Sequence, residues 1–265
     1  MVRLTREVRL SIEDDGDNVV GPGRGANTWA GWPAARTLSP YVVIRGTFRG
    51  EPDPQTGYLV DIRLVDQALR GAVLGTRPLA DRPLLDAVRS IWRSLEERWS
   101  GPAELCELEL QATPYLRYAV SRGEVAMVSV TQCFEFAASH RLACSEFSDE
   151  KNREIFGKCS NPNGHGHNYG LEVTVRVDPE ADAEGREPFS LPRMEEVVQE
   201  RVLERFDHKH LNADCPEFAD LNPSVENIAR VIWGLLERRI EGGELENVRV
   251  WETGKTRADY RGEKK

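Results

Sequence analysis

The hydrophobic positions of the first half of the chain predict strands on either side of a helical segment. An apolar run from Tyr41 to Phe48 predicts a strand, and spacings of three and four residues between Leu84 and Trp99 predict an amphipathic helix. Alternation of apolar and polar residues from Leu105 to Thr113 then predicts a half-buried strand. The other predicted elements of this half are a strand at Val8–Ile12, a long loop at 14–25, a helix from Leu64 to Val73 and a strand at Tyr115–Val120.

The second half repeats this succession. Its predicted strands are Val128–Ala138, Tyr169–Val177, Leu245–Trp251 and a short last one at Asp259-Tyr260, and its predicted helices are Met194–Phe206 and Val225–Ile240. Strands at both ends of a helical segment predict an α+β fold in each half.

Particular residues recur at a nearly constant distance of about 140 positions. Ile91-Trp92 precedes Ile232-Trp233 at this distance, and the strand beginning at Leu105 precedes the one beginning at Leu245. Tyr118 likewise anticipates Tyr260. This agreement favours an ancient duplication over a coincidence of two α+β patterns.

Charge and composition exclude several classes of function. The chain of 265 residues carries a formal net charge of −9, and its Lys and Arg residues are scattered, which argues against a nucleic-acid-binding protein. No apolar stretch is long enough to span a membrane, and the N-terminus has no signal-peptide core. We therefore expect a cytoplasmic protein.

Histidines and cysteines point to the second half as the site of any metal chemistry. All five histidines lie within residues 140–210, and the odd number and wide spacing of the five cysteines argue against a disulfide framework. His165 and His167, two residues apart on a strand, project from the same face, and His140 ends the upstream segment Phe134–His140. Three neutral imidazoles with an open fourth position suit a catalytic zinc ion. Taken alone, Cys159 with these histidines could also form a structural site with four protein ligands.

Motifs in the second half resemble the 6-pyruvoyl tetrahydropterin synthase / 6-carboxytetrahydropterin synthase family. The resemblance covers nearly all of residues 128–265. It is carried by Phe136–Leu142, Phe156–Tyr169, Phe206–Lys209, Glu226–Ala229 with Ile232-Trp233, and Glu252-Thr253.

For the fold, the resemblance implies two tandem tunnelling-fold units, each an antiparallel sheet with two helices on one face. Subunits of this kind assemble into barrels, so a homo-oligomer is expected. Residues 125–265 would form the active unit, and residues 1–124, which contain no histidine, a degenerate copy that lacks metal ligands.

For the site, the resemblance implies roles for residues of the second half only. Zn²⁺ would be bound by His140, His165 and His167. Cys159 would act as general base, and Asp207 with His208 as a proton relay. Glu252 would anchor the pterin ring of 7,8-dihydroneopterin triphosphate, helped by Ser224 and Glu226. No role is implied for His210, which we interpret as a surface residue.

Three functions remain open at this point. Cys159 stands six residues before His165, a spacing that resembles the pyruvoyl-forming synthases and places 6-pyruvoyl tetrahydropterin formation first. The second is cleavage to 6-carboxytetrahydropterin with release of acetaldehyde, as in the queuosine pathway. The third is a non-catalytic pterin-binding or assembly protein, against which the presence of Cys159, Asp207, His208 and Glu252 together argues.

Overall fold

A computed structural model describes residues 1–12, 19–20, 41–76 and 82–262 of the chain. The chain divides into two compact units, Met1–Val130 and Thr131–Lys265. Of the loop predicted at 14–25, Val19–Val20 form a short strand, and the remaining residues lie outside the described part. The assignment of 1–124 as a degenerate copy stays a prediction.

The first unit is an antiparallel sheet with two helices packed against it. Its strands are β1 (Val2–Ile12), β2 (Val19–Val20), β3 (Tyr41–Gly50), β4 (Glu104–Thr113) and β5 (Leu116–Ser121), and its helices are α1 (Ile62–Gly75) and α2 (Leu84–Arg98). The sheet order is β5-β4-β3-β1-β2. Asp61 caps α1 by accepting a hydrogen bond from the backbone N–H of Arg63. Leu69 and Trp92 are completely buried, so both helices contribute to the core.

The second unit contains the same framework with additional short helices. Its strands are β6 (Val128–His140), β7 (His165–Val177), β8 (Lys209–His210), β9 (Gly243–Thr253) and β10 (Thr256–Tyr260), and its helices are α3 (Asp149–Phe156), α4 (Leu191–Val198), α5 (Glu204–Phe206), α6 (Leu211–Asp214) and α7 (Val225–Leu236). The sheet order is β10-β9-β7-β6, and β8 pairs with β6 in parallel. Alternate side chains of β7 from Tyr169 to Val177 are buried, which places one face of the sheet toward the core.

The four main strands have the same spatial order in both units, β5-β4-β3-β1 in the first and β10-β9-β7-β6 in the second. Details of their pairing also agree. Thr5 and Thr47 join their hydroxyls across β1 and β3 at 2.9 Å, and Thr131 and Thr174 do the same at 2.9 Å across β6 and β7. A register shift follows Thr47 in the pairing of β3 with β4, and another follows Thr174 in the pairing of β7 with β9. These irregularities occupy corresponding positions, as a duplicated framework would place them.

An ion pair also recurs between corresponding strands, with its charges exchanged. Arg45 of β3 pairs with Glu109 of β4, whereas Glu172 of β7 pairs with Arg249 of β9 at 3.3 Å. Each pair joins directly opposite residues of neighbouring antiparallel strands. The attraction between the strands is therefore kept although both side chains differ.

The helices of the second unit depart from the sequence-based prediction in three ways. The short helix α3 was not predicted, because its residues are mostly exposed and give no apolar stripe. The predicted helix at Met194–Phe206 begins earlier, at Leu191, and contains a π-helical turn at Gln199–Leu203 between α4 and α5. The helix predicted to reach Ile240 ends at Leu236, and Arg238 has a positive φ of 60° soon afterwards.

Among the helices that the structure describes, none combines the length and the apolar character that crossing a membrane requires.

Candidate metal centre and catalytic site

Three histidines of the second unit meet at one point, as their spacing predicted. His140 is the last residue of β6, and His165 and His167 lie on one face at the beginning of β7. One ring nitrogen of each residue lies within 4.8 Å of those of the other two. The ring centroids are 4.5 to 5.2 Å apart. We call these residues the histidine triad.

His140 is held in a single orientation by a backbone acceptor. Its side chain is completely buried, and its Nδ1 donates a hydrogen bond to the carbonyl oxygen of Pro223 at 2.7 Å. Since Nδ1 then carries the proton, Nε2 presents a lone pair, and it lies 3.1 Å from Nε2 of His165. Burial lowers the pKa of His140 to about 4. The ring is therefore neutral at pH 7, as a metal ligand must be.

The donor set of the triad fits a divalent metal ion. Nε2 of His167 and Nδ1 of His165 are buried and have no hydrogen-bond partner among the described residues. Burial also lowers the pKa of His165. Neutral, convergent imidazoles of this kind suit Zn²⁺, Cu²⁺, Fe²⁺ or Ni²⁺, so the ligands do not by themselves identify the metal.

Glu252 lies against the histidine triad. Its Oε1 is 3.6 Å from Nε2 of His140 and 3.8 Å from Nε2 of His167, and only 17% of its side chain is exposed. Because His140 is neutral at pH 7, its contact with Glu252 is not an ion pair at that pH. The contact of Glu252 with the pterin ring, implied by the family resemblance, stays a prediction. The structure shows that the Glu252 carboxylate borders the place where a metal ion would bind.

Asp207 and His208 form a hydrogen-bonded pair beside β6. Oδ2 of Asp207 lies 2.7 Å from Nδ1 of His208, and Oδ1 accepts a hydrogen bond from the backbone N–H of Ala137 at 2.8 Å. The hydrogen bond from Ala137 has the largest effect in lowering the pKa of the Asp207 carboxyl group, and the hydrogen bond with His208 lowers it further. The ionised carboxylate favours the tautomer of His208 with a proton on Nδ1, and this leaves Nε2 able to accept one. His208 is 83% exposed and has a positive φ of 57°, a backbone strain typical of functional sites.

Cys159 lies in a short 3₁₀ turn, Gly157–Ser160, between α3 and β7. Its side chain is half-buried, and its carbonyl oxygen accepts a hydrogen bond from the backbone N–H of Leu142 at 2.8 Å. This bond holds the turn close to the end of β6, two residues beyond His140.

Ser224 and Glu226 lie at the beginning of α7. The hydroxyl of Ser224 caps this helix by accepting a hydrogen bond from the backbone N–H of Asn227, and Glu226 is exposed in the first turn. Because Pro223 immediately precedes the cap and accepts the hydrogen bond of His140, the helix terminus is tied to the triad. The helix terminus that carries the exposed carboxylate of Glu226 is thus anchored to the buried His140.

A cleft of about 650 Å³ connects several of these residues. Its lining includes His167, His208, Lys209 and His210, together with neighbouring residues of β6 and β7, but not Cys159. The structure thus brings His208 of the predicted proton-relay pair to a cleft that His167 of the triad also borders, and it places Cys159 outside that lining.

The interpretation of His210 as a surface residue was wrong. Its side chain is half-buried, and its Nδ1 is buried without a hydrogen-bond partner among the described residues. A Cβ at Gly164, which has a positive φ of 70°, would lie 3.0 Å from Nε2 of His210 and 2.9 Å from the carbonyl oxygen of His140. The backbone at Gly164 therefore packs closely between these two histidines, and only a glycine suits it.

The second unit thus combines an antiparallel sheet and helices with a three-histidine site suited to metal. It matches the family model described as 6-pyruvoyl tetrahydropterin synthase over residues 129–263. This chain belongs to the 6-pyruvoyl tetrahydropterin synthase family.

Individual relatives match about half of the chain. The human 6-pyruvoyl tetrahydrobiopterin synthase is 40% identical over 141 residues, which are 53% of this chain and 96% of the human protein. The 6-carboxy-5,6,7,8-tetrahydropterin synthase of Aquifex aeolicus is 26% identical, with 51% and 98% covered. The solved structure of the Caenorhabditis elegans 6-pyruvoyl tetrahydropterin synthase is 32% identical, has a TM-score of 0.47, and matches 52% of this chain and 96% of that one.

Proposed function

We propose that this protein is a zinc-dependent lyase that converts 7,8-dihydroneopterin triphosphate into 6-pyruvoyl tetrahydropterin and triphosphate. The observation that carries the proposal is the meeting of the histidine triad, the Asp207–His208 pair and the cleft within the unit that matches the family. The identity of 40% to the human synthase favours the pyruvoyl product over the carboxy product of the relative that is 26% identical.

In this mechanism the residues of the chain position the substrate and move its protons. His140, His165 and His167 would hold the metal, and a bound metal would supply Lewis-acid polarisation of a substrate side-chain oxygen that acidifies the neighbouring C–H. Cys159 removes this proton as a thiolate. His208, oriented by Asp207, delivers protons through its Nε2. The leaving triphosphate then completes the elimination.

Incubation with 7,8-dihydroneopterin triphosphate and identification of the products by mass tests the proposal. We expect 6-pyruvoyl tetrahydropterin and triphosphate. The carboxy product with acetaldehyde would establish the second function, and binding without turnover would establish a pterin-binding protein. Metal analysis of the purified protein tests the assignment of zinc, and stoichiometric binding of another metal would contradict it. Localisation in the cytoplasm stays a prediction.

The carboxylates Glu252 and Glu226 are the proposed contacts of the pterin ring, with Ser224 shaping the loop before Glu226. A carboxylate can accept two parallel N–H donors of the pterin edge, much as it accepts those of a guanidinium. We expect Glu252→Gln and Glu226→Gln each to raise KM by about 10-fold or more, because one ionic hydrogen bond is lost. Since Glu252 borders the triad, metal content must be measured in both variants. An unchanged KM in either variant would remove that residue from the pterin site.

We also propose that residues 1–124 are a degenerate copy of the active unit and that the chain assembles into a barrel-shaped homo-oligomer. The common strand order, the equivalent Thr–Thr pairs and the equivalent register shifts support the duplication. We expect one metal ion per chain, since every histidine lies in the second half. Two ions per chain would contradict the degenerate copy, and a monomer mass in light scattering would contradict the oligomer.

A further inference from the structure

The hydroxyl of Tyr169 is a buried polar group to which the mechanism above assigns no role. Tyr169 is completely buried in β7, and its hydroxyl has no hydrogen-bond partner among the residues that the structure describes. Leaving such a group unpaired destabilises a protein, and native structures contain few examples. A ligand that supplies the missing partner would account for this one.

The ring of Tyr169 is positioned as a neighbour of the histidine triad. His165, His167 and Tyr169 alternate along β7 and share one face of the strand. The centroid of the Tyr169 ring lies 5.5 Å from that of His167 and 6.1 Å from that of His140. The ring also stacks on Phe136, with 5.0 Å between the ring centroids and 16° between the ring planes. This packing holds the phenol rigidly, as precise contact with a substrate requires.

The phenol ring of Tyr169 and the carboxylate of Glu252 both lie beside the histidine triad. Glu252 is the carboxylate that contacts two members of the triad. A neutral phenol in this position can donate one hydrogen bond to an oxygen atom.

We propose that the Tyr169 hydroxyl donates a hydrogen bond to an oxygen of the substrate side chain as negative charge develops on it. This inference rests on the proposed function, which requires loss of a proton from the carbon that bears such an oxygen. Charge moves onto the oxygen as the proton leaves, so a donor held in place by packing stabilises the transition state more than the bound substrate. Tyr169 is thereby a substrate-contacting residue beside the histidine triad.

Tyr169→Phe separates this role from a structural one because the two predict different results. The phenyl ring keeps the stacking on Phe136 and removes only the unpaired hydroxyl. We expect the metal-free variant to unfold at the same or a higher temperature than the metal-free wild type, and the purified variant to keep the metal content of the purified wild type. We expect kcat to fall by about 100-fold and KM to rise only a few-fold, as for loss of a donor that stabilises a developing oxyanion more than the bound substrate.

Tyr260→Phe is the matched control, since the Tyr260 ring packs on Trp233 and lies on β10, two strands away from β7 in the order of strands. We expect its kcat to equal that of the wild type. An unchanged kcat in Tyr169→Phe would overturn the inference. So would a fall in kcat that accompanies a lower unfolding temperature or a loss of metal, because the hydroxyl would then be structural.

Binding of 7,8-dihydroneopterin, followed by pterin fluorescence, distinguishes failure of this inference from failure of the proposed function. If the wild type does not turn over the triphosphate, the proposed function fails, and the comparison of affinities still tests Tyr169. We expect Tyr169→Phe to bind 7,8-dihydroneopterin at least a few-fold more weakly than the wild type binds it. Equal affinities would refute the contact.

Discussion

Replacement of Cys159 by alanine is expected to reduce turnover of 7,8-dihydroneopterin triphosphate by about 10²-fold or more, since general base catalysis contributes that much. The variant should keep its metal, because the triad consists of histidines alone and Cys159 lies in a separate 3₁₀ turn. Mass spectrometry of the products measures the turnover of Cys159→Ala, and elemental analysis measures its metal content.

Cys144→Ala is the matched control for this experiment. Cys144 is a second half-buried free cysteine of the same unit, and its backbone, rather than its thiol, is hydrogen-bonded to Asn152. We expect Cys144→Ala to turn over substrate at the rate of the wild type. Unchanged turnover in Cys159→Ala would eliminate the thiol as the base. Loss of the metal in that variant would instead favour the alternative in which Cys159 is a fourth ligand.

Replacement of His165 by alanine is expected to lower metal affinity by well over about 10²-fold and to remove turnover with it. Loss of residues that merely orient the ligands of a metal already costs 10- to 100-fold, and His165 would be a ligand itself. Its side chain is only half-buried, so the fold should tolerate the change better than a change at the completely buried His140. Metal titration monitored by a competing chelator, together with thermal unfolding of the metal-free protein, measures both effects.

His210→Gln is the matched control, since His210 lines the cleft that His167 borders but does not belong to the triad. We expect this variant to bind metal as tightly as the wild type does. A His165→Ala protein that still binds one metal ion per chain with wild-type affinity would show that the ion is held elsewhere. Equal losses in His165→Ala and His210→Gln would indicate a fourth histidine ligand.

The sequence predicted the main strands and helices well because each is a local pattern. The alternation in β4 and the helical spacing in α2 recur in the structure within one residue at each end. The helix α3 was missed because its stability depends on a tertiary contact rather than on an apolar stripe. Its one buried residue, Asn152, hydrogen-bonds through its side chain to the backbone of Cys144 and Phe147.

The histidine triad could be predicted for a similar reason, since His165 and His167 share a strand face by virtue of their spacing. His210 was interpreted wrongly because its partial burial does not follow from a local pattern. Its neighbours in sequence are mostly polar and exposed, so nothing local indicates burial. Its partial burial follows from the parallel pairing of β8 with β6 and from the close approach of Gly164.

The sequence by itself determined the order of the elements, the repetition of that order and the three histidines that can bind a metal. These features depend on residue type and spacing within short segments. Only the tertiary structure decided which other groups surround the triad. His140 finds its acceptor in Pro223, 83 residues away, and Glu252 reaches the same histidine from β9. The burial of the Tyr169 hydroxyl belongs to this second group, because packing across strands, not spacing along the chain, removes a side chain from water.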